Sequence, residues 1–117
     1  MNLLAVSNDF HRKSPKSVER ILMAYTEGIA ALKTRKERAL SLLAKYMGQR
    51  GGSAETHYEF IVKYLDRVPR VDPAAVETVL QMVGQSAPAA AKLYDNGIMD
   101  ALIRDGFIER LYKGEKS

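Results

Sequence analysis

The sequence predicts an all-α fold, a compact array of five to seven short helices with one short N-terminal strand candidate. Three observations predict it. Apolar residues recur at three- and four-residue spacing in one segment after another, which is the period of one helix side. Ser, Thr or Asp opens these segments, twice with Pro next in line, and Gly closes most of them. The one apolar run that reads as extended, Asn2–Val6, has no second strand to pair with.

Taken in order, residues 1–13 read as a strand remnant or an extended arm. Ser14 and Pro15 open the first helix, because a hydroxyl can cap and proline tolerates the first helical position. Val18, Ile21, Leu22, Tyr25, Ile29 and Leu32 then share one face. Gly28 weakens this helix by about 1 kcal/mol relative to alanine unless a neighbour packs close to it. Thr34 and Glu37 have the spacing of a capping box for a second helix, whose stripe is Leu40, Leu43 and Met47, with Ala39 and Tyr46 at its edges and Gly48 as its stop. After the Gly51–Gly52 loop, Ser53 caps a third helix carrying Tyr58, Ile61, Val62 and Leu65. Pro69 forces Val68 out of helical geometry. Asp72 and Pro73 start a fourth helix, with Val76, Val79, Leu80 and Val83 facing inward and Gly84 ending it. A short helix after Ser86, a turn at Asn96–Gly97, and a helix with Ile98, Met99, Leu102 and Ile103 follow. Gly106 stops that helix, and Phe107 folds back on it. Ile108, Leu111 and Tyr112 complete the last apolar turns. The helical domain thus spans 14–112, and 113–117 read as a disordered tail.

The net charge of +4 is unevenly placed. Residues 11–50 carry ten Lys or Arg against three Glu, whereas residues 51–117 carry eight basic and ten acidic side chains. A basic first half raises a nucleic-acid reading. The simpler reading is a solvated helix face, and it ranks first. No cysteine is present, so disulfides, thiol catalysis and thiolate metal sites are excluded. The start, MNLLAVSNDF, is too short and too soon polar for a signal peptide, and no apolar run approaches the ~18 residues of a span. Neither export nor membrane insertion is therefore expected of the chain as written.

No catalytic, metal or cofactor site emerges. His11 and His57 are far apart, and neither has a second histidine at helix spacing. Asp95, Asp100 and Asp105 are five apart, which does not converge on one helix face, so they read as turn and cap residues. Gly51–Gly52 lacks the strand and the Lys-Ser/Thr pair of a phosphate loop. Tyr58, Phe60 and Tyr64, with Lys63 and Arg67 among them, imitate a stacking platform for bases. Tyr58 shares a face with Ile61, Val62 and Leu65, which favours packing. Phe60 and Tyr64 occupy another face, as on a helix covered on two sides. An enzyme is therefore not expected.

The order of segments resembles one family. SVERILMAYTEGIAALKTRKERALSLLAKYMG is similar to a passage in substrate-binding proteins of ABC transporters, of the nitrate, sulfonate, taurine and thiamine-precursor type. HYEFIVKYLDRVPRVDPAAVETVLQMV resembles that family's aromatic helix, its R-x-P crossing and its V-x-x-VL helix. KLYDNGIMDALIRDGFIERLYKG resembles its ending. The likeness runs from about Asn8 to Gly114 and implies the C-terminal helical part of a periplasmic-binding-protein-like fold. It implies transport without enzymatic activity, a permease and an ATPase as partners, and a periplasmic or extracytoplasmic place. The loops that hold most of the ligand site would precede this segment, so no binding residue is assigned within it. LLAVSNDF would be the strand before the first helix, and the extra GGS at 51–53 departs from the pattern. Helices built to lie on a sheet would carry exposed apolar faces without it, and homo-oligomers are expected from that. A small helical interaction module is the alternative, and nucleic-acid binding through residues 11–50 is the second alternative.

Overall fold

Ser7, not Ser14, begins the helical part of the chain. The computed structural model describes residues 3–47, 54–84 and 92–113. Among the described residues it contains seven helices and no strand. The first, α1, spans Asn8–Lys13 inside the segment expected to be an arm. Its cause is local. Ser7 Oγ accepts from the Phe10 N–H, and Asp9 in the first turn pairs with Arg12 and Lys13 at 3.2 Å each. Residues 3–7 belong to no strand, so the strand remnant is overturned there.

α2 spans Pro15–Thr34 and α3 spans Lys36–Met47. Pro15 takes the first helical position as expected, but Ser14 makes no side-chain cap. The Thr34–Glu37 capping box is also not formed. Thr34 stays within α2, and its hydroxyl donates to the Ala30 carbonyl at 2.7 Å. A single residue, Arg35, separates the two helices, and its carbonyl accepts the first α3 bond, from Ala39 N–H. The buried face of α2 is rotated from the expected stripe. Thr26, Ile29 and Ala30 are buried and Ile21 is exposed. Thr26 can be buried because its hydroxyl donates to the Leu22 carbonyl at 2.7 Å. A methyl group at Gly28 would meet no neighbour within 4 Å, so close packing does not explain that glycine.

α4 spans Ala54–Tyr64 and crosses the α2–α3 joint. Tyr58, buried as expected, donates to the Lys33 carbonyl at 3.3 Å, one of the carbonyls that the end of α2 leaves open. Lys33 Nζ in turn donates to the Val62 carbonyl at 3.3 Å, and Lys36 pairs with Glu55 at 3.1 Å. α5 spans Pro73–Met82, and Asp72 Oδ1 accepts from Ala74 N–H as its cap. Gly84 follows at φ 76°, where left-handed backbone favours glycine.

α6 spans Gly97–Arg104 and α7 spans Phe107–Leu111. Gly106, at φ 81°, turns the chain between them, so Phe107 reaches back. Met99, Leu102 and Phe107 form the main buried cluster, packed by Leu22 and Met23 of α2, Val68, Ile98, Ile108 and Leu111. Close helix pairs are α1–α2, α2–α3, α3–α4, α6–α7 and α2–α7, which leaves α5 outside them all. The stops and caps expected at Gly48, Ser53 and Ser86, and residues 114–117 of the tail, lie outside the described residues.

Candidate functional site

Two places on this frame concentrate unusual features: a polar junction before α6 and a set of apolar faces with no cover. The junction exists because the segment Asp95–Asn96–Gly97 is pinned from three sides. Asp95 Oδ1 accepts from Gly97 N–H at 2.7 Å, which tightens the turn into α6. Its other oxygen, Oδ2, lies 3.3 Å from His11 Nε2 on α1, a contact across 84 positions of sequence. Asn96 makes no helix cap. Its side-chain oxygen accepts from Val71 N–H at 2.8 Å and its amide donates to the Val71 carbonyl at 2.9 Å. Arg70 donates through Nε to Asp100 at 2.8 Å, with a second contact at 3.5 Å. α6 is thereby fastened to the non-helical Arg70–Val71 stretch.

This electrostatic arrangement depends on pH. The Gly97 N–H, and after it His11, hold the Asp95 carboxyl below its ordinary value. Arg70 does the same for Asp100. A depressed folded value means that the contribution is complete above the ordinary carboxyl value of 3.8 and is lost as pH falls through the folded value. We expect Asp100→Asn to flatten the acid limb of unfolding, followed by circular dichroism, relative to the unchanged chain. Identical acid limbs would count against this assignment.

As a catalytic site the junction is incomplete. A His–Asp pair performs base chemistry when the second ring nitrogen meets a nucleophile. His11 Nδ1 is enclosed and has no hydrogen-bond partner among the described residues. Among the described residues no group of three or more acidic or histidine side chains could hold a metal ion. No helix described is long and apolar enough to cross a membrane. Asp95 is a turn residue, as expected. Asp100 instead forms an ion pair. Asp105 follows the end of α6, and its carbonyl accepts from Arg110. The Asn96–Val71 pairing escapes a reading of the sequence, because its signal, an Asn two residues ahead of an apolar run, is the same as that of a turn or cap.

Five basic residues of the first half are engaged within the chain. Arg12 and Lys13 pair with Asp9, Lys16 with Glu19 at 3.5 Å, and Lys36 with Glu55. Lys33 is turned onto the Val62 carbonyl. Phosphates would have to displace these partners.

Apolar faces are the more prominent feature. Among the described residues fourteen large apolar side chains are exposed, and eight apolar residues are buried. On α5 and its C-cap, Val76, Val79, Leu80, Met82 and Val83 lie on one arc at helical spacing. Leu80 at one edge is buried, whereas Val79, Met82 and Val83 are 58%, 80% and 65% exposed. Val79 and Val83 therefore correct the expectation that they face inward. On α4, Phe60 and Tyr64 are exposed, with ring centroids 4.7 Å apart. The expectation of cover on both sides of that helix is not met within the described residues. Set against known proteins, the chain matches no family model, no curated protein and no solved structure.

Proposed function

We propose that this chain is a non-enzymatic helical layer, the C-terminal helical portion of a solute-binding protein for ABC-type uptake. The observation that carries the reading is the outward apolar arc of α5. It holds no charge between Val79 and Val83, and α5 packs closely on no other described helix. An uncharged arc of that width suits a flat β-layer, whose own apolar face would need it. The family is supported by the resemblance of the segments, in order, between Asn8 and Gly114. In such a protein, itself outside the cytoplasm, the helices support the lobes and the ligand is held elsewhere, with a permease and an ATPase as transport partners.

The coding DNA upstream of the Met1 codon tests the family. An in-frame continuation rich in alternating strand and helix patterns is expected, with permease and ATPase genes beside it. A close upstream stop codon among unrelated neighbours would overturn it. A second reading, a small helical interaction module, is favoured by one observation. The α4 face carries Glu59 and Lys63 beside its exposed aromatic pair, and such a mixed face suits a helix better than a sheet.

A further inference from the structure

We propose that the exposed face of α4 pairs with the same face of a second copy, antiparallel, about a two-fold axis near the middle of the helix. Phe60 and Tyr64 are one turn apart and lean on each other while exposed to solvent. Glu59 and Lys63 run beside them, each one position earlier, so charged and aromatic pairs share one side of the helix. Both charges are exposed, and among the described residues neither makes an ion pair. Lys63 Nζ lies over the Tyr64 ring at 5.2 Å.

A two-fold axis between these pairs sets Phe60 against the second copy's Tyr64 and Glu59 against the second copy's Lys63, each contact occurring twice. Parallel alignment would set like charge on like charge. The face is therefore self-complementary in one orientation only. A nucleic acid would meet Glu59 as a like charge, and a sheet would take both charges out of water. Four partly exposed rings cover on the order of 500 Å2, below the roughly 1,200 Å2 of stable complexes. The pairing is thus weak and visible at high protein concentration. It rests on α4 and stands apart from the family reading, which rests on α5 and the quoted passages.

Sedimentation velocity over a concentration series tests it on the full chain. Self-association is expected. Glu59→Lys and Lys63→Glu should each weaken it about tenfold, because both symmetric contacts become repulsive. An equimolar mixture of the two variants should recover it, since each then offers the charge the other needs. Tyr64→Ser should weaken association to a similar degree with no recovery in any mixture, and it serves where a charge variant loses its helical signal. A chain that stays monomeric throughout the series overturns the proposal. So do variants that associate like the unchanged chain, or a mixture as weak as its components.

Discussion

Phe107→Ala should destabilise the chain by about 4 kcal/mol, the typical loss for a large aromatic removed from a core. The size of the effect follows from how little else is buried. Phe107, Met99 and Leu102 are the main cluster, at 6%, 2% and 6% exposure, and the described core holds few other residues. Gly106 aims the ring there, and Leu22 and Met23 bring α2 against it. A domain of this size has about 5–15 kcal/mol in total, so this one ring supports a large share of it. Urea unfolding measures the loss. Ile103→Ala, on the exposed side of α6 at 41%, is the matched control and should cost about 0.5 kcal/mol or less. Equal losses for the two variants would mean that the ring does not anchor α7 to α2.

Asn96→Ala should cost about 2 kcal/mol, because it leaves both the N–H and the carbonyl of Val71 without partners in a half-buried place. Asn96→Asp separates the two bonds. The new carboxylate still accepts from the Val71 N–H but faces the Val71 carbonyl, oxygen against oxygen. That contact disfavours the charged form and raises the folded pKa of the new group. A raised carboxyl value implies a penalty present at neutral pH and relieved as pH falls through it, when the protonated group can donate. Stability of Asn96→Asp, taken relative to the unchanged chain at each pH, should therefore recover on mild acidification, whereas that of Asn96→Ala should not. Parallel curves for the two variants would show that the amide does not bridge to Val71.

The parts of the fold legible in the sequence are those with a strictly local cause. Asp72–Pro73 starts α5, Gly106 stops α6, and Tyr58 turns inward with the apolar residues of its own face. Other features depend on contacts between distant segments. Thr34 and Glu37 have capping-box spacing, yet Thr34 remains helical because its hydroxyl bonds back to Ala30. The apolar run before α1 hides that helix, although Ser7 and Asp9 are its cap and first-turn acid. An apolar stripe is too narrow a guide to α2, because a threonine that satisfies its own hydroxyl is a core residue that no apolar pattern marks. The logic that correctly places Leu80 and Tyr58 inside also places Val79 and Phe60 under cover, and there it fails. Periodicity finds an apolar face, but it does not say whether this chain supplies the surface that covers it.

The oxidation of Met82 by dilute peroxide, read by mass spectrometry against Met99, tests that missing cover most directly. In the isolated 117-residue chain Met82 is 80% exposed and should react much faster than Met99, at 2%. In the protein taken from its own cells, Met82 should be protected to the level of Met99 by the proposed β-layer over α5. Met82 reacting there as freely as in the isolated chain would contradict it.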